Sequence, residues 1–140
     1  MIVYAESSAV LGWLLGEPGE AALRDALVSA EHVVSSALTA VECGRALSRG
    51  AASGRLRPTD ELAAQRLLDE AAATWVVHDL SERVLRRARG RFPVEPIRTL
   101  DALDLATALV FQEALGQLTV LSLDDRIREN AAALGLGVAP

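Results

Sequence analysis

Short β-rich apolar runs alternate with longer helical stretches along the chain, and this alternation leaves few folds open. Ile2 to Ala5 is a short run suited to a buried central strand, and Ser7 or Ser8 can cap a helix from there through Leu15. Pro18 stands near the start of a second helix through Val28. Val33 to Ser35 reads as a strand, followed by a helix from about Leu38 to Ala52 and another from Pro58 through about Ala73. Trp75 to Val77 is a third strand, and Ser81 caps a helix through Arg89. After a Pro-containing loop from Arg91 to Thr99, Asp101 starts a helix ending near Gly116. Leu118 to Leu121 is a fourth strand, Asp124 or Asp125 caps a short last helix, and Val138 can add an edge strand. Strands alternating with helices predict an α/β fold: a three-layer α/β/α arrangement around a central parallel sheet of four to five strands, as one domain over 1–140. In such sheets, sites form beyond the carboxyl ends of the strands, where the strand order reverses.

Composition narrows the chemistry. Half of the chain is hydrophobic (51%), which excludes a disordered tail, yet no apolar run approaches the ~20 residues that span a bilayer. Glu6 follows Met1-Ile2-Val3-Tyr4-Ala5 too closely for a signal peptide, so a cytoplasmic protein with no membrane partner is expected. A single cysteine, Cys43, excludes an internal disulfide and a cysteine-rich zinc site, and only His32 and His78 are available for histidine chemistry. All fourteen basic residues are arginines. Without lysine there is no P-loop lysine and no Schiff base. The net charge of -5 argues against sequence-independent polyanion binding, but not against a nuclease whose metal ions meet the phosphates.

Four segments far apart in sequence place carboxylates where a strand ends or a helix begins: Glu6, Glu42, Asp101 with Asp104, and Asp124 with Asp125. Each has a local explanation. Glu6 can interact with a helix dipole. Thr39-Ala40-Val41-Glu42 fits a capping box, and Glu42 can pair with Arg45 or Arg49 on the surface. Asp101 can cap its helix, with Asp104 beside it at i+3, and either Asp124 or Asp125 can cap the last one. Of these two, Asp124 lies nearer the strand and is the better site candidate. Gathered in one pocket, such charges cost folding energy unless a divalent cation joins them.

The order and neighbours of these acids resemble the PIN-domain family, specifically the VapC-type toxins of bacterial toxin–antitoxin pairs. Met1-Ile2-Val3-Tyr4-Ala5-Glu6-Ser7-Ser8-Ala9-Val10 looks like that family's strand, acid, Thr/Ser-Ser-Ala and helix. Ser36 to Leu47 is similar to its second acidic motif, and Arg98-Thr99-Leu100-Asp101-Ala102-Leu103-Asp104-Leu105-Ala106-Thr107-Ala108 to its third and most specific one. Ser122-Leu123-Asp124-Asp125-Arg126 resembles the fourth, with a hydroxyl residue two positions before the acid. The family usually carries Asp where this chain has Glu6.

The resemblance implies a metal-dependent endoribonuclease that cleaves structured RNA such as tRNA or rRNA. Glu6, Glu42, Asp101 and Asp124 would be the catalytic, metal-binding acids, joined by Asp104, around Mg²⁺ or Mn²⁺. Glu42 could act as general base on the attacking water. Ser8 would orient the first acid or a water. A small antitoxin and a second copy of the chain, in a homodimer, are the partners so implied. Between Ser81 and Arg98, six arginines (83, 86, 87, 89, 91 and 98) face only Glu82 and Glu95, a local balance of +4. A solvated helix face accounts for most of these, and RNA contact at the rim is the functional alternative, with Arg98 nearest the acids. A second reading is a PIN-like module that binds RNA or protein with weakened catalysis, because Glu6 adds a methylene to the first acid. An aspartyl phosphatase is a third, and Glu6-Ser7-Ser8 lacks the Asp-x-Asp pattern it needs.

Overall fold

The computed structural model describes residues 1–140. Five strands run through it: β1 (Ile2–Ala5), β2 (His32–Ser36), β3 (Val76–His78), β4 (Leu118–Leu121) and β5 (Gly137–Ala139). Seven helices connect them: α1 (Ser7–Leu14), α2 (Glu20–Ser29), α3 (Ala37–Ala52), α4 (Pro58–Ala72), α5 (Glu82–Ala88), α6 (Thr99–Leu115) and α7 (Asp125–Ala133). The strands form one sheet in the order β3-β2-β1-β4-β5, and every neighbouring pair is parallel.

Strand periodicity explains the layers. Successive residues of a strand point to opposite faces. Along β1, Val3 and Ala5 pack with Ala9, Val10, Leu23, Cys43 and Leu68 under α1 to α4. Tyr4 points the other way, into a larger cluster with Leu105, Ala108, Phe111, Leu118, Val120 and Ile127 beneath α6 and α7. Both faces of the sheet are therefore covered, as its near-continuous apolar strands predict. Burying a side chain such as Leu105, Leu118 or Leu121 contributes roughly 1.5–3 kcal/mol. No helix is long and apolar enough to cross a membrane.

Strand order decides where a site can form. Tyr4 pairs with Val34 on one side and Val120 on the other, so β1 is the central strand. The chain moves outward from β1 to β2 and β3, then returns to the other side of β1 as β4 and β5. The strand order reverses between β1 and β4, and the crevice beyond their carboxyl ends is where open parallel sheets bind ligands. Glu6 follows β1 and Asp124 stands three residues past β4, both at that crevice.

Several helix starts differ from the sequence expectation. The second helix begins at Glu20, two residues after Pro18, with Gly19 at φ of 91° turning the chain into it. Glu6 caps α1 in place of Ser7 or Ser8, its carboxylate accepting from the Ser8 amide. Ser36 caps α3, so Thr39 lies inside that helix and the capping box with Glu42 does not form. α6 starts at Thr99 with Arg98 at the cap position, which leaves Asp101 within the first turn rather than capping it.

Candidate active site at the carboxyl ends of β1 and β4

Glu6 is buried, 4% exposed, and its carboxylate is hydrogen-bonded through both oxygens. Oε1 accepts from the Ser7 hydroxyl at 2.8 Å and the Ser8 amide at 3.1 Å. Oε2 accepts from the Ser122 hydroxyl at 2.7 Å and from the Ser8 hydroxyl. The same hydroxyls hold the neighbouring turn: Ser8 Oγ accepts from the Leu123 amide at 2.8 Å, and Ser122 Oγ from the Asp124 amide at 3.1 Å. This cluster ties the end of β1 to the turn after β4.

Asp124 serves as cap and site candidate together, where the sequence reading had one of the two aspartates capping and the other free. Its Oδ1 accepts from the Arg126 and Ile127 amides at 2.9 and 3.3 Å, while Oδ2 accepts from Arg98 at 3.2 Å. Asp125 is exposed on the first turn of α7. Arg98 also donates from Nε to Asp101 Oδ2 at 3.0 Å, so one guanidinium bridges the acids of α6 and α7.

Asp104 lies one turn further along α6 and is 1% exposed. Tyr4 donates to its Oδ1 at 2.7 Å. Burial, then the negative charge of Glu42, pushes the Asp104 carboxyl well above the ordinary carboxylate range, against the lowering effect of the Tyr4 bond. Glu42, half-buried on α3, is raised for the same reasons: burial first, then repulsion from Glu6. Glu42 makes no ion pair with Arg45 or Arg49, and its Oε1 is buried without a hydrogen-bond partner. Such an atom costs about 1–3 kcal/mol when nothing compensates it.

The structure thus brings Glu6, Glu42, Asp101, Asp104 and Asp124 to one crevice, with Ser8 and Arg98 among them. No three of these carboxyls stand in preformed metal-ligand geometry; serine hydroxyls hold Glu6, and Arg98 holds Asp101 and Asp124. The donor chemistry still suits a hard divalent cation: all-oxygen ligands, two carboxyls raised by burial and charge, and the orphaned Glu42 oxygen. Mg²⁺ commonly takes only one or two carboxylates and keeps several waters.

Two residues near the site, Tyr4 and Asn130, and the link that Ser122 makes are not legible in the sequence. Tyr4 is the only polar side chain among the apolar residues of β1, and a buried phenol needs a partner. Ser122 belongs to the Asp124 motif as its hydroxyl residue, but its bond to Glu6 spans 116 residues of chain. Asn130, 0% exposed, bonds the Val94 amide and carbonyl at 2.9 Å each and so anchors the loop leading to Arg98. Cys43 packs behind Glu42, and burial pushes its thiol up to about 12, which leaves it unreactive. A cleft of about 640 Å³ runs beside the segment carrying Arg98 and Asp101, bounded by Leu85, Glu95, Ile97, Thr99 and Leu103.

Against known proteins, the PIN domain profile matches residues 3–133. Ribonuclease VapC46 of Mycobacterium tuberculosis is 38% identical over 136 residues, covering 97% of this chain and 95% of that protein. The chain belongs to the PIN domain family. Among solved structures, the M. tuberculosis toxin VapC20, which cleaves the sarcin-ricin loop, superposes with a TM-score of 0.67 at 16% identity, covering 96% of this chain and 95% of that one. VapBC2 from Rickettsia felis, bound to a DNA fragment from its promoter, gives 0.66 at 12% identity, with 99% and 98% covered. At these identities the structures speak for the shared fold, and the 38% relative for the family.

Proposed function

We propose that this PIN domain is a VapC-type endoribonuclease toxin that hydrolyses structured RNA with the help of Mg²⁺ or Mn²⁺. The observation that carries this reading is the convergence of five carboxyls, from four distant segments, on the crevice between β1 and β4. It is supported by the match to Ribonuclease VapC46 along nearly the whole chain. Asp101, Asp104 and Asp124 would hold the cation, with Glu6 beside them. When bound, the cation supplies charge neutralisation at the scissile phosphate and acidifies an attacking water.

The remaining work falls to the chain itself. Glu42 is the general base: its carboxylate takes the proton of the attacking water, and its raised pKa moves it closer to neutral working pH. Asp104 is fixed by Tyr4 and adds its charge beside Glu42. Glu6, clamped by Ser7, Ser8 and Ser122, sets the distance between α1 and the turn carrying Asp124. Ser8 orients Glu6 and holds the Leu123 amide, rather than standing free to position a water. A cognate antitoxin is proposed as the protein partner, together with a second copy of the chain in a homodimer, acting in the cytoplasm. The complex of VapBC2 is a structural precedent for the assembly of a toxin of this fold with its antitoxin.

The test is cleavage of mixed tRNA and rRNA with Mg²⁺ and with Mn²⁺, comparing the wild type with Glu42→Gln and Glu6→Asp. The wild type should cut, and Glu42→Gln should lose about 10²-fold or more in kcat. No cleavage by the wild type, with activity gained in Glu6→Asp, would instead assign the chain to a weakened, binding role.

A further inference from the structure

The acidic crevice carries a cation of its own. Arg98 Nε reaches Asp101 Oδ2 at 3.0 Å, and a terminal nitrogen of the same guanidinium reaches Asp124 Oδ2 at 3.2 Å. No choice is left to Asp124, because its other oxygen is committed to the amides of α7. A divalent cation drawing on Asp124 must therefore use the oxygen that Arg98 holds. Two cations on one carboxylate oxygen repel, so each weakens the other's hold on Asp124.

Arg98 is also built to move in one way only. Its backbone is fixed, with the Arg98 carbonyl accepting from the Ala102 amide at 2.9 Å at the start of α6. The loop before it is pinned three times over. Asn130 bonds Val94, the Glu95 carboxylate accepts from the Phe92 and Ile97 amides at 3.1 and 2.9 Å, and Arg126 donates to the Pro96 carbonyl at 2.8 Å. The side chain beyond this anchor is 69% exposed, so it can swing off the carboxylates without disturbing the fold. A guanidinium leaving two carboxylates beside a bound cation has one natural acceptor, a phosphate of the incoming RNA.

We propose that Arg98 is an internal counter-cation that competes with the divalent metal for Asp101 and Asp124 and, once displaced, grips a substrate phosphate next to the scissile bond. It is a positioning residue and not a catalytic one until RNA is bound. This inference rests on the metal-dependent reading given above. In the metal-free protein Arg98 offsets part of the charge of Asp101 and Asp124; metal and RNA then favour each other, because each gives the other's competitor a better place.

The experiment is calorimetric titration of Mn²⁺ into wild type, Arg98→Ala, Arg98→Lys and Asp101→Asn, together with steady-state RNA cleavage. Arg98→Ala should bind Mn²⁺ about 5-fold or more tightly than wild type, the lower end of ordinary coupling between sites. Arg98→Lys should also bind it more tightly, since an ammonium keeps the charge but loses the fork that spans both carboxylates. In cleavage, Arg98→Ala should raise KM for RNA by a larger factor than it lowers kcat. Unchanged or weaker Mn²⁺ binding by Arg98→Ala overturns the proposal. So does Arg98→Lys matching the wild type while Arg98→Ala binds more tightly, which assigns the effect to bulk charge. If Asp101→Asn weakens Mn²⁺ binding and Arg98→Ala leaves it alone, the metal site stands and the competition falls. If neither wild type nor Arg98→Ala binds Mn²⁺, both fall together.

Discussion

Tyr4 and Asp104 are joined by a 2.7 Å hydrogen bond between two fully buried side chains that lie 100 residues apart in the chain. The bond fastens the central strand to the helix that carries two of the acids. Removing the phenolic hydroxyl leaves a buried carboxyl without its donor. Tyr4→Phe should therefore lose roughly 1–3 kcal/mol of unfolding free energy in a denaturant titration. A variant as stable as the wild type would show that the bond contributes nothing.

The raised carboxyls make a pH signature. Asp104 and Glu42 sit above their ordinary values of 3.8 and 4.5, so the folded chain holds protons that the unfolded chain releases. Their contribution to stability is complete below those values and is lost as the pH climbs through the higher folded values. Glu42 and Glu6 are the charges facing Asp104, and Glu6 and Asp101 those facing Glu42, with Arg98 the cation near Glu42. In metal-free buffer, the melting temperature should fall as the pH rises from the ordinary values through the raised folded ones. Asp104→Asn keeps an acceptor for Tyr4 without the charge. It should flatten the fall and melt ~4 °C higher than wild type at pH 8, the equivalent of about 1 kcal/mol. An unchanged slope would remove Asp104 as its source.

Asn130 secures the loop that presents Arg98. Its carboxamide makes hydrogen bonds to the Val94 amide, the Val94 carbonyl and the Arg126 carbonyl. Asn130→Ala should cost about 2–3 kcal/mol, from lost bonds and from backbone groups left unsatisfied. Hydrogen exchange at the Val94 amide should quicken by more than at core amides of β1. Equal protection at Val94 in both proteins would contradict the anchoring role.

Ser122 acts on chemistry through Glu6. Ser122→Ala releases Glu6 Oε2 from one of its two hydroxyls and the Asp124 amide from its acceptor. RNA cleavage should drop roughly 10–100-fold, the usual effect of removing a group that orients a metal-site ligand. The far-ultraviolet spectrum should stay as in wild type. Full activity would show that the hydroxyl cluster does not set the geometry of the crevice.

The layers and the acids were largely legible in sequence, for separate reasons. Strand and helix periods differ, so Ile2–Ala5 and Leu118–Leu121 stood out as buried strands, and even the edge strand around Val138 could be read. The acids drew attention because their flanking residues match a family pattern. What stayed hidden was pairwise and non-local. Local rules favoured Thr39 as a cap because of Glu42 three residues later. In the fold, Ser36 ends its strand at the right angle to cap α3, and Thr39 turns inward toward the Ala5 carbonyl at 3.5 Å. Arg98 looked like one more member of a basic surface run. Only the return of the chain at β4 puts Asp124 within its reach, and strand order cannot be deduced from an apolar pattern. Tyr4 and Ser122 belong to the same class, since a hydrogen bond across 100 or more residues leaves no trace in either neighbourhood.

The central claim, that acids from distant segments form one metal-dependent site for RNA hydrolysis, is tested most directly by a single cleavage assay. Purified wild type and Asp101→Asn are incubated with structured RNA in Mg²⁺ or Mn²⁺, with and without a chelator. Cleavage by wild type that the chelator stops, and that falls by a factor of ~10² or more in Asp101→Asn, is the expected result. Cleavage that survives both the chelator and Asp101→Asn would contradict the account.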